Sequence, residues 1–169
     1  MINGLFADYY VPQLPSYLSQ FTLVIDVENN AAAIPGSGDV PVAFTHTHDV
    51  AAFAASLLDL PAGTWPKKST IVGEKLTWNQ FVSALEEAKD VKFQVSCDSM
   101  DKLKKGQVTE LEGQKAMYAF FPKEALQGFV ASFGVMFEMG KFEVEELGPD
   151  TGFKARSVRE MVREAWKKE

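Results

Sequence analysis

Apolar residues along the chain change period several times, and each change marks an element. From Thr47 onward Val50, Phe53, Ala54, Leu57 and Leu58 fall at i, i+3, i+4, i+7 and i+8, one helical stripe. Thr47 is the predicted N-cap, Asp49 sits in the first turn, and Pro61, Gly63 and Pro66 end the helix in a loop. Thr77 and Gln80 have capping-box spacing, with Leu76 and Phe81 as staple residues, so a second helix should run to about Lys89. Asp98 can cap a short helix that Gly106 stops. After Pro122 the stretch KEALQGFVASFGVMFEMGKF is strongly apolar and predicted helical. Gly128 and Gly134 there each cost roughly 1 kcal/mol against Ala, which implies a kink or a close approach. Ser157 and Glu160 form a second capping box before a closing helix that ends in Trp166-Lys167-Lys168.

The remaining runs follow a shorter period. FTLVIDVENN (residues 21–30) and the short STIVGE read as strands, and VKFQVSC places Val91, Phe93, Val95 and Cys97 on one half-buried face. In AAAIPGSGDVPVAFT two extended pieces meet at Pro35-Gly36-Ser37-Gly38-Asp39, for which a β-hairpin is the economical reading, with Pro41 at an edge. Strands alternate irregularly with helices, and no repeat or low-complexity tract interrupts them. The fold class is α/β (α+β), a small mixed sheet with a β-hairpin and flanking helices, in a single domain over 1–169.

Gly36 and Gly38 are also the first two glycines of a G-x-G-x-x-G phosphate loop. The third position is Pro41, which has no N–H, and extended sequence follows instead of a helix. The stretch is read as a turn, and no cofactor site is expected. There is no Walker sequence, nucleophile elbow, H-E-x-x-H or paired-cysteine site.

Composition narrows the partners. The net charge of −6 argues against nucleic acid or an acidic membrane. A lone cysteine, Cys97, forms no internal disulfide and points to a reducing, cytoplasmic compartment, and it reads as a buried thiol at the end of an apolar face. The amino terminus reads as neither a signal peptide nor a membrane anchor. Aromatic residues make up 12%, enough for a large core or an apolar pocket.

The candidate chemistry gathers around residues 46–49. His46 and His48 suit proton transfer near neutrality, Asp49 could orient one of them, and Tyr9, Tyr10 and Tyr118 could donate to an oxyanion. The bland reading is that both histidines solvate a loop and Asp49 caps a helix. His46 and His48 alone are too few ligands to predict a metal.

Four blocks in order, NGLFADYY, IPGSGDVPVAFTHTHDVAAFAASLLDLP, IVGEKLTWNQFVSALEEA and SVREMVREAW, resemble the carboxy-terminal half of NmrA-like, isoflavone-reductase-like proteins, atypical short-chain dehydrogenases, with wording closest to fungal members. The resemblance implies a truncated NmrA-like fold lacking the amino-terminal Rossmann half that binds NAD(P)H, and the family's Tyr-x-x-x-Lys is absent here. By that resemblance Asn3, Gly4 and Phe6 match the loop facing nicotinamide and substrate. His46 and Asp49 match the helix start lining the same cleft. Three functions stay open. The first is a cofactor-independent isomerase, cyclase or dehydratase of secondary metabolism acting on an apolar small molecule. The second is a non-catalytic binding or regulatory module, and the third is part of an NAD(P)H-dependent oxidoreductase. A homodimer, or a partner chain covering an exposed sheet edge, is expected in each.

Overall fold

The computed structural model describes residues 1–61, 63–149 and 151–167. In chain order the elements are β1 (Leu5–Phe6), β2 (Ile25–Asp26), β3 (Ala31–Pro35), β4 (Val42–Thr45), α1 (Thr47–Leu58), β5 (Glu74–Leu76), α2 (Trp78–Lys89), β6 (Gln94–Asp98), α3 (Met100–Lys104), α4 (Lys123–Glu138) and α5 (Val158–Ala165). Short 3-10 turns occupy Ala7–Tyr10 and Glu112–Ala119.

Two small mixed sheets form the frame. In one, β4 lies between a parallel β1 and an antiparallel β5; in the other, β3 lies between an antiparallel β2 and a parallel β6. The hairpin predicted at Pro35–Asp39 does not form; the hairpin of this fold joins β2 to β3 through residues 27–30. Across the Pro-Gly turn, β3 and β4 enter different sheets. Pairing partners are chosen by distant segments, which local turn chemistry does not encode. Asn30, in the left-handed region at φ 50°, takes the tight hairpin position.

The helices sit where their caps place them. Both capping boxes close, Thr77 with Gln80 and Ser157 with Glu160. At α1 the cap is His46, one residue before the expected Thr47: its Nδ1 accepts the His48 N–H at 3.2 Å. The short helix is capped by Ser99, not Asp98. Strand β6 begins later than expected and is exposed over residues 94–97, so Cys97 is an exposed thiol and not a buried one.

Tyr10, Phe44, Trp78 and Phe81 meet at the centre, edge to face except for the stacked Trp78 and Phe81 rings, with Phe44 and Phe81 centroids 4.9 Å apart and Tyr10 and Phe81 5.1 Å apart. Phe137 brings α4 onto Trp78 at 5.1 Å. The two glycines of α4 differ. A side chain at Gly134 would press on Leu103 and Pro35, so that glycine permits close approach, whereas nothing lies within 4 Å of a Cβ at Gly128.

Two substitutions test this packing. Phe81→Ala, which empties a fully buried ring site, should lower stability by about 3–5 kcal/mol in urea unfolding. Gly128→Ala should raise it by about 0.5–1 kcal/mol, because the helix there gains backbone order without a clash.

Candidate functional site

The carboxyl ends of β1 and β4 lie side by side, and the chain leaves them through Ala7–Tyr10 and His46–Asp49. Parallel strand ends of this kind are where open α/β sheets bind ligands. Asp8 is buried there, where an unsatisfied carboxylate would be costly. It accepts the Ser16 hydroxyl at 2.6 Å, the Thr47 N–H at 2.9 Å and the Thr47 hydroxyl. Burial alone would raise the Asp8 pKa, but these hydrogen bonds and the nearby His46 hold it below the ordinary carboxylate value.

His46 is buried and faces the same carboxylate, Nε2 standing 3.7 Å from Asp8 Oδ1 without a hydrogen bond. Its Nδ1 accepts a backbone proton, which assigns the neutral ring's own proton to Nε2. Burial pushes its pKa down, against the smaller opposing effect of Asp8. Thr45 completes the pin, its hydroxyl meeting the Asn3 carbonyl at 2.9 Å and the Ile71 carbonyl at 3.1 Å.

The predicted site residues divide. His46 and His48 lie at these strand ends, whereas Asn3 and Gly4 precede β1, the Asn3 carbonyl accepting the Thr45 hydroxyl. Gly4 takes φ 69°, and a Cβ there would strike the Ala43 carbonyl, so its role in the fold is close backbone approach. His48 is exposed, with its ring 6.1 Å from that of Tyr17. Asp49 is turned to Arg156, accepting its backbone N–H at 3.0 Å and its Nε at 3.3 Å, and thereby ties α1 to the approach of α5. Tyr10 points the other way, into the aromatic core. Its hydroxyl has no hydrogen-bond partner among the described residues, and burial drives its pKa far up. Tyr118 lies apart, under the Lys123 ammonium.

Tyr9 faces outward, with Phe6 and Phe21 edge-on at 6.4 and 6.1 Å. Two hollows adjoin it and Met117. An apolar one of about 490 Å3 is walled by Phe21, Phe121, Ala125 and Phe129. A second, of about 610 Å3, has a mixed lining that includes Gln13, Asp26 and Lys89 beside Ile25 and Val27. The wall bearing Met117 is fixed by buried Asp26, which accepts the Gly113 N–H at 2.7 Å. Sequence reading missed Asp8, Phe21, Met117 and Phe129. Only Asp8 left a signal there, an acid inside the apolar run LFADYY.

The Gly36-Ser37-Gly38 turn does cradle an anion, but one of this chain's own. Ser37 donates its N–H to both carboxylate oxygens of Glu138 at 3.3 Å, and a Cβ at Gly36 would occupy the place of that carboxylate. Among the described residues no three His, Cys, Asp or Glu side chains gather as metal ligands would, and no helix is long and apolar enough to cross a membrane.

Because the His46 and Asp8 pKa values are both lowered, the unfolded chain holds more protons than the folded one on acidification. Stability should therefore fall as the pH drops below about 6.5 through His46, and again in the carboxylate range through Asp8. Urea midpoints should show the first fall in the wild type and lose it in His46→Asn, which keeps a cap acceptor. An equal slope in both proteins would contradict the assignment.

No family model matches the sequence. It is 31% identical over 118 residues to a protein named oxidoreductase swnN from Metarhizium robertsii, covering 68% of this chain and 35% of that protein. It is 37% identical over 83 residues to oxidoreductase BOA1 from Botryotinia fuckeliana, covering 48% of this chain and 27% of the relative. Among solved structures, leucoanthocyanidin reductase from Vitis vinifera superposes with a TM-score of 0.59 at 21% identity, over 97% of this chain and 53% of that one. An NADPH-dependent quinone oxidoreductase from Escherichia coli gives 0.57 at 17%, over 96% and 52%. The chain thus spans about half the length of the structures it matches, and less of the fungal relatives.

Proposed function

This chain has the carboxy-terminal half of the NmrA-like, isoflavone-reductase-like fold and is related to fungal oxidoreductases; on that premise we propose that it is the substrate-side part of an NAD(P)H-dependent oxidoreductase. The nucleotide-binding part would come from further sequence or from a second chain. The observation that carries the reading is the aromatic hollow around Tyr9, set beside the paired ends of β1 and β4, on a sheet where β1 is the outermost strand. A nucleotide-binding sheet would continue from that strand. Relatives named oxidoreductases support this over a cofactor-independent isomerase, as does the buried His46, whose Nδ1 is already engaged as a helix cap.

The residues present do not fit a nicotinamide dinucleotide. Its pyrophosphate would meet the Glu138 carboxylate already held by the Gly36–Gly38 turn, and two anions do not share one cradle. No chemical step is therefore assigned to a cofactor within this chain. Its own residues bind and orient. Phe21, Phe121 and Phe129 take the flat apolar face of a substrate and exclude water from it. Burial, then the Asp8 charge, raises the Tyr9 pKa, so its hydroxyl stays protonated at neutral pH and serves as a hydrogen-bond donor to a substrate oxygen.

Binding of the neutral fluorophore N-phenyl-1-naphthylamine tests the hollow. The wild-type chain should enhance its emission, and Phe129→Lys, at a half-exposed position, should weaken binding severalfold with unchanged circular dichroism. Equal binding by both proteins would reject the site.

A further inference from the structure

Most sheet edges of this fold are short or charged. β1 and β2 have two residues each, and β5 carries Glu74 and Lys75. β6 is different: it has five residues, ends its sheet, and reads Gln-Val-Ser-Cys before Asp98, with no charge, proline or bulge to protect it. Residues 94–97 are exposed, Val95 by 47%.

The ladder with β3 determines which backbone groups remain. Gln94 donates to the Asn30 carbonyl at 2.8 Å and Asp98 accepts the Gly36 N–H at 2.8 Å, so the even-numbered residues face β3. By alternation the N–H and C=O of Val95 and Cys97 face outward. Among the described residues no backbone hydrogen bond reaches them from that side.

We propose that this edge pairs antiparallel with the same edge of a second copy, about a two-fold axis at Ser96. In that register Val95 lies opposite Cys97 of the second copy, and Cys97 opposite its Val95. Each is a hydrogen-bonded pair exchanging both N–H···O bonds. All four outward groups of each edge are then satisfied, and two β2–β3–β6 sheets become one of six strands. The match is self-complementary in side chains as well. Val95 and Cys97 share a face and cover each other across the join, while Ser96 meets Ser96 on the opposite face. A foreign strand would need its own sequence to supply what a second copy supplies by symmetry. The inference stands apart from the oxidoreductase reading, because β6 is the edge opposite β2, whose residues line the second hollow beside Tyr9.

The test is mass by light scattering across a concentration series of the whole chain, with two variants and a crosslink. The wild type should move toward twice the mass of one chain as concentration rises. Val95→Pro, which removes only an outward N–H, should stay at the mass of one chain; if circular dichroism shows it unfolded, Val95→Lys replaces it with the same expectation. In a Cys97→Ser background, Ser96→Cys should oxidise to a disulfide-linked dimer, because a non-hydrogen-bonded pair holds its Cα atoms about 4.5 Å apart, within disulfide reach. A chain that stays monomeric at the highest concentration overturns the proposal. So does a dimer that Val95→Lys leaves equally strong, and so does failure of the Ser96→Cys crosslink in a sample that is dimeric by mass.

Discussion

The buried carboxylate of Asp8 constrains everything around the paired strand ends. Taking a carboxylate out of water is tolerable only when donors surround it. Here the donors come from two separate places, Ser16 in the chain that leaves Ala7–Tyr10 and Thr47 at the start of α1. The end of β1 is thereby fixed against the beginning of α1. The neighbouring tyrosines then diverge: Tyr10 is driven into the ring cluster with Phe44, Trp78 and Phe81, and Tyr9 is turned out to wall the two hollows. His46, which caps α1 and faces the same carboxylate, is held neutral by its burial. One polar centre thus positions core, helix start and candidate site together.

The glycine turn shows how far backbone chemistry can be separated from function. Its positive-φ glycines and inward N–H form the concavity that phosphate loops use. Glu138, at the last turn of α4, fills it. What would be a ligand contact elsewhere is here an internal clasp between the turn after β3 and the end of α4, the same helix whose Gly134 lets Leu103 and Pro35 come close.

Helices were legible in the sequence because their signals are local. Thr77 with Gln80, and Ser157 with Glu160, satisfy backbone donors within one turn, and both boxes form as spaced. Strand pairing was less legible. The Pro-Gly turn has good hairpin residues, yet β3 and β4 separate into different sheets, while the hairpin forms at Asn30. Cys97 ends an alternating run, but alternation does not say whether the chain supplies anything to cover that face. The sequence named some of the residues that the fold brings near the paired strand ends, and not others. Asp8 and the start of α1 at Thr47 do converge, whereas Asp49 turns to Arg156 and Tyr10 to the core, and the apolar wall from Phe21, Met117 and Phe129 joins segments that no local pattern connects.

The central proposal is that this chain offers a substrate wall and no nucleotide cradle of its own. Calorimetric titration of the 169-residue chain with NADPH tests it most directly. The account predicts no binding heat above dilution from a folded sample. Saturable, tight binding would contradict it, and would mean that the Gly36–Gly38 turn releases Glu138 to accept a phosphate or that the dinucleotide has another site on this chain.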